Sequence, residues 1–135
     1  MSILNWAFDF SEFGGQEPNL KGEKMGILGN LKARHEARRC LRMFEEQMDS
    51  LLERFAEVCE RADLTQEERE ALFMDNLKPC TKLMSNFTNL MIMISMHSIF
   101  NNDQKMGEIR SACSDDLRRL CDAQTLAMNS LRNAA

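Results

Sequence analysis

The two histidines, His35 and His97, are the side chains whose local sequence comes nearest to a metal-binding motif. His35 is followed by Glu36, as in the helical zinc motif His-Glu-x-x-His, but Arg39 occupies the place of the second histidine. No Glu-x-x-His spacing, typical of di-iron helix bundles, occurs either. His97 lies among Met93, Met96 and Ile99, and a haem held by histidine and methionine in a helix bundle is conceivable, although a core or interface histidine gives the same pattern. We therefore predict no metal and no cofactor.

The sequence has no motif for a catalytic nucleophile or for phosphate binding. Neither the glycine-rich P-loop nor the Gly-x-Ser-x-Gly turn occurs. Carboxylates recur at four-residue intervals in Glu45, Asp49, Glu53 and Glu57, a spacing typical of the solvated face of a helix. The apolar stripes described below contain no charged residue that could work inside a bundle. The sequence therefore predicts a protein that is not an enzyme.

Five cysteines are present, and no two of them form a Cys-x-x-Cys pair. An odd number without paired spacing argues against a disulfide framework and favours a reducing compartment. No basic stretch precedes an apolar core at the N-terminus, so no secretory signal is visible. We therefore expect a cytoplasmic protein whose cysteines are mostly unreactive members of its core. The cysteines on or beside the apolar stripes are Cys40, Cys59, Cys80 and Cys113.

Positive charge is concentrated in one stretch of a chain whose formal net charge is -4. The stretch contains Lys32, Arg34, Arg38, Arg39 and Arg42. A basic helix start opposes the helix dipole, which suggests an external reason for these residues. An acidic protein surface, the acidic end of another copy, or the phosphates of nucleic acid would each provide one. The remaining interpretation is a solvated surface paired with nearby glutamates, and the net negative charge disfavours nucleic acid.

Residues 1–13 form an aromatic segment that glycines separate from the rest of the chain. Trp6, Phe10 and Phe13 follow a four- and three-residue spacing, which predicts one apolar side of a short helix. Five of the six glycines follow this segment, a composition typical of a flexible tether. The segment either folds back onto its own domain or a dimer mate, or docks on another protein. A membrane anchor is disfavoured because its two charged residues are acidic.

Three long amphipathic helices are predicted for residues 31–135, and residues 1–30 are assigned to the tethered segment. Apolar residues recur at four- and three-residue spacing in three runs, the pattern of one buried helical face. The first run is Ala37, Leu41, Phe44, Met48, Leu51, Phe55, Val58 and Ala62. The second is Phe73, Leu77, Cys80, Met84, Phe87, Met91, Ile94 and Ser98. The third is Met106, Ile109, Cys113, Leu117, Leu120, Gln124, Ala127 and Leu131. Short turns between them predict an all-α, antiparallel up-down-up bundle.

Capping residues predict where the second and third helices begin. Thr65 and Glu68 have the spacing of a capping box, and Asp103 supplies an N-cap for the third helix. Pro79 lies inside the second stripe and either kinks the helix or splits it. Gly107 weakens the first turn of the third helix.

The second helix is apolar nearly all round between positions 87 and 100. Leu90, Met93 and Ile99 are among the residues that lie off its main stripe, and a second apolar face requires cover. We expect a homodimer formed through this helix, with the aromatic segment or a partner as the alternatives. The uncharged run from position 83 to position 102 contains too many polar residues for a membrane span, so no membrane is predicted.

Together these features predict a non-enzymatic protein-binding factor, such as a small adaptor, chaperone or inhibitor, that occludes or bridges a protein partner. Aromatic and arginine side chains are the usual anchors of interfaces, and methionine adapts to varied apolar surfaces. The predicted contact residues are Trp6, Phe10, Phe13, Arg34, Arg38, Arg39, Arg42, Met91, Met93, Met96 and Phe100. The alternatives are a dimeric nucleic-acid-binding regulator that uses residues 32–42 and a structural homo-oligomer.

Overall fold

The computed structural model describes residues 27–96 and 103–134, and almost all of them are helical. The helices are α1 (Ile27–Glu60), α2 (Gln66–Met96) and α3 (Gln104–Asn133). Each helix packs against the other two, and these described ranges contain no β-strand. The predicted all-α bundle of three helices is therefore confirmed. None of the three helices has a stretch long and apolar enough to cross a bilayer.

Two side-chain caps begin α2 and α3 where the sequence predicts them. The Thr65 hydroxyl accepts a hydrogen bond from the backbone N–H of Glu68 at 3.1 Å and donates one to the Glu68 carboxylate at 3.1 Å. Asp103 Oδ1 accepts hydrogen bonds from the backbone N–H groups of Lys105 at 3.0 Å and Met106 at 3.2 Å. Both caps satisfy N–H groups that have no partner within their helix.

Neither Pro79 nor Gly107 interrupts its helix. Because α2 continues through Pro79 as one element, the alternative of two separate helices is wrong. Asn76, one turn earlier, receives a hydrogen bond from Arg54 Nη1 of α1 at 3.2 Å and donates one to the Leu72 carbonyl at 2.6 Å. The bond from Arg54 ties α2 to α1 close to the proline. A side chain at Gly107 would meet open space, so this glycine serves no close packing.

The buried face of α1 agrees with its predicted stripe. Every predicted member from Ala37 to Val58 is buried. Ala62 is exposed because α1 ends before it, so its place in the stripe was wrong. Phe44 packs edge-to-face against Phe87 of α2, with ring centroids 5.6 Å apart and an angle of 77° between the ring planes. This geometry is one that aromatic pairs prefer, and it anchors α1 to α2.

The buried face of α2 is rotated from its predicted stripe. Besides the predicted Phe73, Cys80, Phe87 and Ile94, the buried residues are Asn76, Leu83, Asn86, Leu90 and Met93. The predicted members Leu77, Met84 and Met91 are half-buried against this core. Leu90 and Met93 therefore belong to the core, and the prediction that they form a second apolar face is wrong. The exposed apolar surface of α2 that a homodimer could bury is therefore smaller than the sequence predicts.

The buried face of α3 follows its predicted stripe and includes one carboxyl group from outside the stripe. The buried apolar residues are Met106, Ile109, Cys113, Leu120 and Ala127. Asp116, one turn from both Cys113 and Leu120, is buried as well, with 4% of its surface exposed. A carboxyl group thus lies inside the bundle at a position that the apolar stripe does not include.

Hydrogen bonds join the helices at both ends of the bundle. At one end, Arg69 near the start of α2 donates to the carbonyl of Val58 at 2.8 and 2.6 Å and to Ser130 Oγ at 2.8 Å. These bonds bring together the end of α1, the start of α2 and the end of α3. At the other end, Arg110 of α3 donates to Ser95 Oγ of α2 at 3.4 Å.

Candidate partner-binding surface

The four predicted arginine contacts divide into two exposed and two half-buried side chains. Arg38 and Arg42 are exposed. Arg34 is half-buried, and its Nε lies 2.9 Å from Asp103 Oδ2 in an ion pair that links α1 to the cap of α3. Arg39 is also half-buried, and its charge acts on the neighbouring Cys40. The structure therefore places two of the four predicted arginines on the surface and gives Arg34 a role in the fold.

Four exposed basic residues in the first half of α1 lie on the face that points away from the other helices. We call this set the basic ridge; it comprises Lys32, His35, Arg38 and Arg42. Farther along the same face lies a second exposed set, the acidic ridge, which comprises Glu46, Asp49, Glu53 and Glu60. An α-helix turns about 100° per residue, so the two sets follow one another along a single side of α1. The charge of this side changes sign near its middle.

The helix dipole does not account for the basic ridge. α1 begins at Ile27, so its first turn precedes Lys32 and carries no acidic residue. The dipole acts mainly within the first turn, and the argument that a basic helix start opposes it is therefore wrong for this chain. Repulsion within each ridge remains, because Arg38 and Arg42 are four residues apart, as are Asp49 and Glu53.

The predicted methionine patch is not one surface. Met93 is buried, with 3% of its surface exposed, and therefore faces the core. Met91 is half-buried and packs against the same core. Met96 is 68% exposed, and Ile92 beside it is 44% exposed. Phe100 lies outside the described residues. Of the four predicted contacts, Met96 alone is shown as an exposed side chain of the described surface.

The aromatic residues of the N-terminal segment, Trp6, Phe10 and Phe13, lie outside the described residues. The predicted division of the chain at residue 30 falls inside α1, because that helix begins at Ile27. The predicted role of the aromatic segment in binding stays a prediction.

A pair of carboxyl groups between α1 and α3 is the titratable feature that the sequence did not predict. Glu45 and Asp116 share a side-chain hydrogen bond. Burial, followed by this bond and the charge of Asp116, raises the pKa of Glu45 from 4.5 to about 7. Arg119 Nη1 lies 3.7 Å from Asp116 Oδ1, while Asp116 Oδ2 is buried with no hydrogen-bond partner in the described ranges. Glu45, which was assigned to a solvated acidic face, is thus half-buried and paired with a buried carboxyl group of α3.

Glu36 is a buried acid, although it is one of the glutamates near the basic stretch that were expected to lie on a solvated surface. It is 8% exposed, and its negative charge contributes to the raised pKa of Cys40. One signal could have found it, because Glu36 stands three residues after Ala33 and four before Cys40, which are both buried. Asp116 has the same three- and four-residue relation to buried neighbours. A polar residue at such a position has to be considered part of the buried face.

The cysteines are divided between the core and the surface. Cys40, Cys80 and Cys113 are buried as predicted. Burial is the main cause that raises the pKa of Cys40 and Cys113 to about 12 and that of Cys80 to about 11. Their thiols therefore stay protonated and weakly reactive. Cys59 is exposed, and so is Cys121, so the placement of Cys59 in the core was wrong.

A shallow apolar cleft lies between α1 and α3 and was not predicted. Its volume is about 290 Å³, and its lining residues include Leu52, Phe55, Ala123 and Leu126. Leu126 is 65% exposed at its edge. The apolar stripes of the sequence did not indicate that the bundle has a cleft on this side.

No set of three or more His, Cys, Asp or Glu side chains within residues 27–96 and 103–134 is arranged to hold a metal ion. No known family model, no curated protein and no solved structure matches the chain.

Proposed function

We propose that this protein is a non-enzymatic protein-binding factor that occludes or bridges a protein partner through the basic ridge of α1. The observation that supports the proposal is an exposed row of basic side chains on a chain whose net charge is -4. Arg38 and Arg42 form no ion pair with another described residue of the chain. An acidic partner surface would relieve the repulsion between them and steer association through long-range attraction.

The aromatic segment supplies apolar anchors beside this charged contact. Trp6, Phe10 and Phe13 belong to residue types that dominate interface energies. The segment precedes α1 along the chain and is separated from it by residues 14–26, and the exposed Met96 lies at the end of α2. Charge then guides the encounter, and aromatic side chains supply most of the affinity. We place this activity in the cytoplasm, which accords with an odd number of cysteines of which three are buried thiols.

The helices of the proposed factor run up, down and up. The hydrogen bonds of Arg69 support this order, because they join the end of α1 to the start of α2 and the end of α3. The Arg34–Asp103 ion pair supports it as well, since it joins the first part of α1 to the start of α3. This order presents the whole outward face of α1 to a partner.

A comparative pull-down from the native cell tests the proposed function. The tagged full chain is compared with Arg38→Glu/Arg42→Glu and with Trp6→Ala/Phe10→Ala, and captured proteins are identified by mass spectrometry. We expect a partner that wild type retains and that both variants lose. A matched control, Lys78→Glu/Arg118→Glu, reverses two exposed charges on other helices and should retain it. Equal capture by all four proteins would show that neither surface is a binding site.

A nucleic-acid-binding regulator is the second candidate, because the basic ridge could also contact phosphates. Electrophoretic retardation of duplex DNA over a series of salt concentrations separates it from the first. Binding that weakens steeply with salt and is lost in Arg38→Glu/Arg42→Glu would favour this candidate. No retardation at low salt would remove it. Light scattering would identify a structural homo-oligomer by an assembly larger than a dimer.

A further inference from the structure

The outward face of α1 carries equal and opposite charges at matched intervals. Arg38 and Arg42 are separated by four residues, Asp49 follows seven residues later, and Glu53 follows after four more. All four side chains are exposed. At about 100° per residue they fall within one narrow strip of the helix surface. The order of charges, read from either end of this strip, is two of one sign followed by two of the other.

Such a strip is complementary to its own reverse. When a second α1 lies alongside in the opposite direction, position 42 of each copy comes opposite position 49 of the other. Position 38 then comes opposite position 53, because both pairs of numbers have the same sum. The 42–49 pair and the 38–53 pair are four residues apart on each helix. At a rise of about 1.5 Å per residue, these two pairs lie about 6 Å apart along the helix axis. Each contact occurs twice, as a two-fold interface requires.

We propose that two copies of this chain associate through the outward faces of α1, antiparallel to each other, with Arg38 and Arg42 of each copy paired to Glu53 and Asp49 of the second copy. The inference rests on the proposed function, because it uses the basic ridge as the contact surface, and it names a second copy as the partner. An unrelated acidic protein would satisfy the basic ridge alone, whereas a second copy satisfies both ridges at once.

The antiparallel register also places the Glu46 side chains of the two copies close together. This exposed residue lies next to the two-fold axis, which passes between positions 45 and 46. It therefore faces Glu46 of the second copy, and like charges so placed repel each other. Removal of this carboxylate should strengthen the dimer, although it removes a charge from the acidic ridge. The opposite effect is expected at Asp49 and Glu53.

Sedimentation velocity of charge-reversed full-length chains tests the inference. The acidic variant is Arg38→Glu/Arg42→Glu, and the basic variant is Asp49→Arg/Glu53→Arg. We expect wild type to form a dimer whose dissociation constant rises about tenfold or more between about 50 and 500 mM salt, since surface charges are screened. Each variant alone should be monomeric, and an equimolar mixture should form a heterodimer. Glu46→Gln should tighten the wild-type dimer several-fold.

A matched control separates this pairing from a general effect of charge. Glu108→Arg/Asp115→Arg makes the same change at exposed positions of α3 and should leave the dimer unchanged. Circular dichroism establishes that every variant is helical. The chain carrying all four reversals regains complementarity, so it should dimerise with itself and not with wild type. This swapped chain keeps the test decisive if one double variant folds poorly.

Several results would overturn the inference. These are a wild type that stays monomeric at low salt and high concentration, double variants that dimerise like wild type, or an equimolar mixture that stays monomeric. A monomeric wild type that still captures a protein through Arg38 and Arg42 would leave the proposed function standing and remove the second copy as partner. A dimer with the expected pairing and no other captured protein would support the inference and count against a separate partner.

Discussion

The carboxyl pair Glu45–Asp116 makes the stability of the bundle depend on pH in a defined direction. The pKa of Glu45 is about 7 in the folded chain and near 4.5 when the chain is unfolded. Because the folded value is the higher one, protonated Glu45 favours folding. This contribution is fully present below pH 4.5 and is lost as the pH rises to about 7. We therefore predict that Glu45→Gln stabilises the bundle at pH 8.

The expected magnitude follows from the pKa difference. One pKa unit corresponds to about 1.4 kcal/mol, so the rise from 4.5 to about 7 sets an upper limit of about 3 kcal/mol. Much of the Glu45 side chain is accessible to water, and solvent screening reduces the effect to about 1 kcal/mol. Glutamine has no charge to bury, and its amide can donate a hydrogen bond to Asp116, whose Oδ2 has no partner in the described ranges.

Urea denaturation followed by circular dichroism at pH 5 and pH 8 measures this effect. Wild type should lose about 1 kcal/mol of unfolding free energy between the two pH values, and Glu45→Gln should not show that loss. Glu108→Gln, which removes an exposed carboxylate of α3, is the matched control and should behave like wild type. If Glu45→Gln changes stability equally at both pH values, or the control reproduces its effect, the proposed contribution of the Glu45–Asp116 pair is refuted.

Three further predictions concern the core, a helix cap and the cysteines. Met93→Ala should lower the unfolding free energy by about 2–5 kcal/mol because it leaves a cavity, whereas Met96→Ala should change it by less than about 0.5 kcal/mol; equal effects would contradict the assigned face of α2. Thr65→Ala should cost about 1 kcal/mol in the same urea assay, since it leaves an N–H of α2 without its cap, and an unchanged midpoint would refute the capping role. A maleimide added to the native protein at pH 8 should modify Cys59 and Cys121 rapidly and the three buried cysteines only after unfolding. Mass spectrometry of the digested protein would show early labelling of a buried cysteine if that assignment is wrong.

The buried face of α1 and the starts of α2 and α3 were predictable from the sequence. α1 has polar residues on most positions outside its stripe, so one rotation of the helix buries the apolar side chains and exposes the charges. The caps at Thr65 and Asp103 depend on bonds within a single turn. Interactions of such short range are present in the local sequence.

The orientation of α2 was not predictable in the same way. Between positions 83 and 94 this helix has apolar residues on several sides, so more than one rotation buries a continuous stripe. Contacts with the neighbouring helices select one of them, and Phe44 of α1 packing against Phe87 is part of that selection. Leu90 and Met93 consequently enter the core, while Ile92 and Met96 remain exposed.

The sequence by itself determined the helical class, the buried stripe of α1, two caps and the row of charges along α1, because all of these follow from neighbours within a few residues. The tertiary structure decided which charges remain outside. Arg34 is drawn into an ion pair with Asp103, and Glu45 into a hydrogen bond with Asp116, although each partner is about 70 residues away in the chain. Arg38 and Arg42 face away from both other helices and so stay available. Whether a charged side chain is buried depends on which side chains of the adjacent helix face it. The periodicity of a single helix contains no information about those side chains.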